Sequence, residues 1–359
     1  MRILLLTDKT RQSNGYAIVG ENLRKSWIHD WDCEVDCFGT DDYRQIRFIH
    51  TALKSTTYGK FGLILVAWDV LLLLWCTRGK RYDVIHCNAE HLALAAALYG
   101  WLRRIPFTVT AHGTYGALLP HLYALFRRAF ARAARLIAVS HYTAARMQSE
   151  GVTSPILIIQ NGVDLRHFVP GTDVVKQGQL LFVGNDRPRK GFAFLYRALV
   201  ALAQQGLRPK LVVAGQFGST QSAVAEQARR DQVNVVFTGK VSDEELLALY
   251  RASALNVLPS HSEPYYFEGY GLVHVEAIAA GTLTIGCLDS GNEDAIQSGN
   301  GWLVEHGNVE SLARIIETVL YRTEPEDWHP TGPAPQDWRL VAGAYLDVFR
   351  TVCGAPNRP

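Results

Sequence analysis

Short apolar runs rich in Val, Ile and Leu recur along this chain, and longer stretches with apolar residues every three or four positions separate them. In the first half the runs are RILLL, CEVDCF, DVIHC, FTVTAH, RLIAVS and ILIIQN. In the second half they are QLLFVG, KLVVAG, NVVFTG, ALNVLP and TLTIG. Strands that are apolar throughout, spaced by helical patterns, predict parallel sheets covered by helices on both faces. Each half holds enough strands for its own doubly wound α/β sheet. The stretch from Asn161 to Gln179 carries turn residues, is punctuated by Pro170-Gly171 and has no helical period, so a linker is expected there. The expected domains are residues 1–165 and 178–322. A Pro-rich irregular tail, TEPEDWHPTGPAPQ, then leads into an amphipathic helix at about 337–352.

Composition adds limits. A chain of 359 residues is too long for one ordinary α/β core, and 48% hydrophobic with 19% charged residues marks it as globular. The net charge of +2 makes no case for nucleic acid as a partner. Local charge is less even. From His91 to Ser149 there are seven arginines and no acid, and Arg127, Arg128, Arg132 and Arg135 fall on one helical pattern. That pattern reads either as a solvated face or as a surface for anionic lipid or an anionic acceptor. The six cysteines form no CxxC pair and no metal spacing, and read as reduced cytosolic thiols. MRILLLTDKT lacks the pattern of a signal peptide, so a cytoplasmic chain is expected. The run Phe61–Cys76 is almost wholly apolar, but it is 16 residues long with Asp69 in its middle. It suits a buried helix better than a membrane span, with partial insertion in a membrane surface as the other reading.

The candidate chemistry centres on FEGYGLVHVEAIAAG, where Glu268 and Glu276 stand eight positions apart. A helix is expected from about Gly271, with Gly281 just past its end. It follows a strand, so it starts at the C-terminal edge of the second sheet, where open α/β sheets bind ligands. Gly269 and Gly271 permit close backbone approach, and the free N–H groups of a first helical turn attract phosphate. Glu276 lies too far along the helix to cap it but can accept two hydrogen bonds from a diol such as ribose. Glu268 lies in the preceding loop. The spacing suits an elongated ligand of sugar, diphosphate and ribose. Spacing alone leaves open that both are surface acids.

The phrase resembles the Glu-x7-Glu signature of the family 4 retaining glycosyltransferases of the GT-B type. Tyr270, Ile278 and Leu283 stand where the common form has Phe, Met and Pro. FVGNDRPRKGFAFLYRAL, VVAGQFG, VVFTGKVSDEELLALYRAS, QNGVD and SGNGWLVEHGNVESLARII fall in family order, so the resemblance covers most of the chain. It implies two Rossmann-like domains facing each other across a cleft, with the terminal helix returning to the first. It also implies that Glu276 holds the nucleotide ribose, that Glu268 contacts the donor hexose, and that Gly269, Tyr270, Gly271, Leu272 and Val273 present backbone donors to sugar and phosphate. Lys190 matches the lysine that binds the diphosphate. The usual neighbouring arginine is replaced by Asn185, and Arg187 or Arg189 can supply that charge. Gly215 and Val241 match the surroundings of the base. Ser242 with Glu245 reads independently as a capping box. In the first half, Gly15 resembles the family's glycine loop, without its second glycine, and His112 resembles a histidine beside the donor sugar.

Such enzymes need no metal bound through a DxD motif. The one candidate, Asp30-Trp31-Asp32, sits at the end of an early helix. The expected reaction is a hexosyl transfer with retention by front-face displacement, from a nucleotide-diphosphate sugar as substrate and with no cofactor. The expected acceptor is a saccharide or a lipid-linked group, in assembly of cell-surface polysaccharide or glycolipid at the inner face of the membrane. A nucleotide-sugar epimerase, hydrolase or phosphorylase on the same fold, and a non-catalytic sugar-nucleotide binding protein, are the alternatives. No GxGxxG follows a strand and no GxxxxGK[ST] occurs, which argues against dinucleotide oxidoreductase and P-loop chemistry.

Overall fold

A computed structural model describes residues 1–7, 15–38, 62–113, 123–171, 176–263 and 266–354. Residues 39–61, which include Phe61 at the start of the apolar run, and residues 114–122, which follow His112, lie outside these. The chain divides into two units. The first comprises Met1–Asn161, Pro264–Tyr266 and Trp338–Pro359; the second comprises Gly162–Glu263 and Phe267–Asp337.

The first unit runs β1 (Arg2–Leu6), α1 (Gly15–His29), β2 (Glu34–Phe38), α2 (Gly62–Cys76), β3 (Val84–Cys87), α3 (Ala93–Arg103), β4 (Phe107–Ala111), α4 (Tyr123–Arg132), β5 (Arg135–Ala138), α5 (His141–Ser149) and β6 (Ile156–Ile158). Its six strands pair in parallel in the order β2-β1-β3-β4-β5-β6. Because strand side chains alternate between faces, Ile85 and Cys87 of β3 enter an apolar core with Val70, Tyr99 and Phe130, while His86 points to the other face. There it meets Trp27 of α1, at a ring-centroid distance of 5.7 Å. His86 Nδ1 also lies 2.8 Å from Thr108 Oγ1, and burial pushes the imidazole down to about 3. It is a neutral core group.

Helix α2 is not the buried helix that its composition predicts. Val66, Asp69, Val70, Leu72 and Leu73 point inward, but Trp68, Leu71 and Trp75 are exposed. A helix that is apolar all round carries no periodic clue to its outward face. Among the described residues, no helix is long and apolar enough to cross a membrane.

The second unit runs β7 (Gln179–Val183), α6 (Phe192–Gln204), β8 (Lys210–Ala214), α7 (Thr220–Arg230), β9 (Asn234–Gly239), α8 (Asp243–Ala252), β10 (Ser253–Val257), α9 (Leu272–Ala279), β11 (Leu283–Cys287), α10 (Asn292–Ala295), β12 (Gly301–Val304) and α11 (Val309–Arg322). The parallel order is β12-β11-β10-β7-β8-β9. The strand order therefore reverses between β7 and β10, which makes a topological switch point. The capping box on α8 forms as its sequence predicts: Ser242 Oγ accepts from Glu245 N–H at 3.2 Å, and Glu245 Oε2 accepts from Ser242 N–H at 2.8 Å. The last helix, α12 (Trp338–Val352), belongs to the first unit. It packs on α1, with Trp27 Nε1 donating to the Ala342 carbonyl at 3.1 Å and Tyr345 and Phe349 beside His86.

Candidate active site

Two loops meet at the switch point of the second sheet. The loop after β7 ends in a short 3-10 turn, Pro188–Lys190, with Gly191 as N-cap of α6. The loop after β10 lies against it. His261 N–H donates to the Arg189 carbonyl at 2.9 Å. Gly191 has φ 76°, and a Cβ there would lie 2.0 Å from the Pro259 carbonyl oxygen. Only glycine permits that approach.

The side chains converge on Glu268. Its Oε2 accepts from Lys190 Nζ at 2.6 Å and from Arg189 Nη1 at 2.9 Å. All three side chains are largely covered, and Glu268 is only 13% exposed. Burial alone would raise the Glu268 carboxyl, but the charges of Lys190 and Arg189 outweigh it and hold it at about 2. Burial lowers the Lys190 ammonium from its usual value, with Glu268 opposing. One carboxylate thus fixes two cations. Arg189, not Arg187, joins the cluster: Arg187 is exposed, and its N–H donates to Asn185 Oδ1 at 3.3 Å.

Glu268 is held in turn from its backbone, whose carbonyl accepts from Gly291 N–H at 2.8 Å. Gly269 and Tyr270 are buried behind it. Gly271, at φ 89°, is the N-cap of α9, so Leu272 and Val273 present first-turn N–H groups that the helix itself cannot satisfy. Gly215 stands just after β8 at φ 140°, where a Cβ would fall 1.8 Å from the Gly184 carbonyl oxygen. Val241 packs with the cluster around Leu181, Val212 and Tyr250.

Glu276 lies farther along α9. The Tyr250 hydroxyl donates to its Oε2 at 3.0 Å. Burial raises its carboxyl to about 7, and the Tyr250 bond offsets this only in part. Glu276 and Glu268 thus sit at opposite extremes, one poised near neutrality and one locked as an anion.

His112 follows β4 in the first unit. Asn88 Nδ2 donates to the Tyr16 carbonyl at 2.6 Å and to Thr7 Oγ1 at 3.1 Å. Its amide orientation is therefore set, and its Oδ1 lies 3.2 Å from His112 Nε2. That oxygen only accepts, so Nε2 carries the proton and Nδ1 remains an acceptor. Burial pushes His112 down to about 4, against the pull of Glu90, so the ring is neutral near pH 7. Glu90, fully buried, accepts from the backbone N–H of His112 at 2.9 Å and of Gly113 at 3.1 Å. Gly15 is the first residue of α1.

Sequence reading leaves Asn88, Glu90 and His274 unassigned. A signal for the first two exists: the polar cluster HCNAEH at the C-terminal end of an apolar strand. His274 is buried between the two glutamates in sequence, with Nδ1 2.6 Å from Thr284 Oγ1. Among the described residues, no group of three His, Cys, Asp or Glu side chains is placed to hold a metal. All six cysteines are free.

Comparison with known proteins agrees with this arrangement. The model of Glycosyltransferase Family 4 matches residues 22–167, and that of Glycosyl transferases group 1 matches residues 168–329. Similar proteins include the GDP-mannose:cellobiosyl-diphosphopolyprenol alpha-mannosyltransferase of Xanthomonas oryzae pv. oryzae, 25% identical over 77% of this chain and 76% of that protein. The phosphatidyl-myo-inositol mannosyltransferase of Mycobacterium tuberculosis H37Rv is 27% identical over 78% of this chain and 76% of its own. Among solved structures, a sucrose-phosphate synthase from Thermosynechococcus elongatus aligns with a TM-score of 0.78 at 20% identity, covering 99% of this chain and 100% of that one. Anabaena HepE in complex with UDP and glucose aligns at 0.69 and 19% identity, covering 99% and 98%. With one family model on each half and the signature loops at the switch point of the second sheet, the chain belongs to the family 4, group 1 glycosyltransferases of the GT-B fold.

Proposed function

We propose that this glycosyltransferase moves a hexosyl group from a nucleotide-diphosphate sugar to an acceptor hydroxyl with retention of configuration and without a metal. The acceptor is a saccharide or a lipid-linked group, met at the cytoplasmic face of a membrane in polysaccharide or glycolipid assembly. The observation that carries the reading is the triad at the switch point, in which Glu268 pins Lys190 and Arg189 beside the first turn of α9. Lys190 and Arg189 with the N–H groups of Leu272 and Val273 would meet the charge that develops on the departing diphosphate. The acceptor hydroxyl attacks the anomeric carbon on the face that the phosphate leaves, the C–O bond to phosphate breaks, and the leaving phosphate oxygen takes the acceptor's proton. Glu268, locked as an anion by two cations, contacts the hexose and is a poor covalent nucleophile. The lipid-linked acceptors in the names of two relatives support the acceptor class. The names of the two mannosyltransferase relatives speak against the epimerase, hydrolase and non-catalytic readings.

Glu276 provides the direct test. Ribose hydroxyls donate to a carboxylate but find half the acceptor capacity in the acid form. With its carboxyl at about 7, the binding-competent fraction falls by about tenfold between pH 8 and pH 6, and apparent affinity for a nucleoside diphosphate falls with it. Calorimetric titration of UDP, GDP and ADP across this range is expected to show that slope, and Glu276→Gln is expected to bind more weakly with the slope removed. A slope unchanged in the variant belongs to the ligand's own phosphate and takes the ribose role from Glu276.

His112 is assigned the donor hexose. As a neutral ring with Nδ1 acting only as an acceptor, it suits a sugar hydroxyl. His112→Phe is expected to lower kcat/KM by about tenfold, the worth of one net hydrogen bond. A donor lacking the contacted hydroxyl should lose the same factor with the wild type and nothing more with the variant. Additive losses would remove the assignment.

A further inference from the structure

Among the described residues, the first unit exposes an apolar surface. Along α2 the exposed positions Trp68, Leu71 and Trp75 repeat at helical spacing, so they form one stripe. Helix α3 packs beside α2 and exposes Leu98, Trp101 and Leu102. Trp75 is 66% exposed and Trp101 is 74% exposed, values at odds with two of the most burial-prone surfaces in the alphabet. Scattered exposed apolar residues are ordinary, but a contiguous patch with several tryptophans marks an interaction site.

Charge decides the partner. Helix α4 packs against α3 and exposes Arg127, Arg128 and Arg132. Arg104, also exposed, follows the C-terminal end of α3. No acid interrupts the chain from His91 to Ser149. Tryptophan favours the headgroup level of a bilayer, where its ring is buried and its N–H stays wet, and arginine favours anionic headgroups. We propose that the outer faces of α2 and α3, flanked by the arginines of α3 and α4, dock on an anionic phospholipid bilayer. This deepens the proposed membrane-facing reaction by naming the surface, but the interaction needs neither donor nor acceptor. The two tryptophan-bearing helices lie in the interface rather than spanning it.

Sedimentation of the full chain with vesicles tests this. The wild type is expected to bind phosphatidylglycerol–phosphatidylcholine vesicles at least tenfold more strongly than phosphatidylcholine alone, and to be released by high salt. Trp75→Ser/Trp101→Ser, at exposed positions outside the active site, should lower binding at least tenfold with unchanged melting. Arg128→Glu/Arg132→Glu should erase the preference for anionic lipid. Wild type that stays in the supernatant, or a tryptophan variant that binds as well as the wild type, overturns the proposal. So does a concentration-dependent dimer abolished by the tryptophan variant, which would make a second copy the occupant. Vesicle binding without any glycosyl transfer would leave the docking surface standing and sink the enzymatic reading instead.

Discussion

Lys190→Ala is expected to lower donor turnover by two to three orders of magnitude, about 2.7–4 kcal/mol of transition-state stabilisation. In the proposed reaction, negative charge builds on the diphosphate as the sugar departs, and a fixed cation in a water-poor site stabilises that state more than the ground state. Lys190 is fixed, because its ammonium is 2.6 Å from Glu268 Oε2 and its side chain is 16% exposed. The fold should survive the change. Glu268 keeps Arg189 at 2.9 Å, so no buried carboxylate is left without a partner, the situation that makes single deletions in buried ion pairs costly. The measurement is release of nucleoside diphosphate at saturating donor, with melting temperature as a control. The loss should fall mainly on kcat, whereas loss at Glu276 should fall mainly on donor affinity. Wild-type turnover in Lys190→Ala would remove the triad from the chemistry.

The second large effect concerns stability. Asp69 is buried in α2 at 2% exposure, and neither carboxylate oxygen has a hydrogen-bond partner among the described residues. Burial raises its carboxyl from 3.8 to about 7. The folded-state value exceeds the unfolded one, so the folded chain holds a proton that the unfolded chain has released. Stability is therefore intact below the unfolded value and is lost as pH rises toward about 7. Roughly three units at about 1.4 kcal/mol each put the total at as much as about 4 kcal/mol. Asp69→Leu removes the ionisable group and keeps the same branched skeleton of four non-hydrogen atoms. At pH 8 the variant should melt roughly 5 °C or more above the wild type, and the two should converge toward acid pH. Equal melting temperatures at pH 8 would show that the carboxylate is not desolvated.

Much of this architecture was legible because local and global signals coincide. Runs such as RILLL and QLLFVG are apolar on both faces, and that alone announces parallel strands sandwiched by helices. Glu268 and Glu276 were legible through the glycine-rich phrase that contains them, and Lys190 through the strand, loop and helix around it. The pairing of Lys190 and Arg189 with Glu268 was not, since it arises where the loops after β7 and β10 meet, 78 and 79 positions apart in the chain. Nothing in NDRPRKG distinguishes Arg187 from Arg189. The turn geometry decides, carrying one guanidinium inward and leaving the other exposed. Helix α2 was misjudged for a related reason: Leu, Val and Trp occupy both of its faces, so composition signalled burial where packing covers only one side. His112 was legible, but its tautomer depends on Asn88, which a scan for acids, bases and cations passes over.

The placement of α12 has a consequence for biosynthesis. Trp27 and His86 belong to a core whose remaining wall, Tyr345 and Phe349, is encoded after the whole of the second unit. A ribosome releases every residue of the second unit before it releases that wall. The half that is translated first is therefore the half that finishes folding last. Until the final turn of helix emerges from the exit tunnel, the nascent chain must shelter an open aromatic cavity.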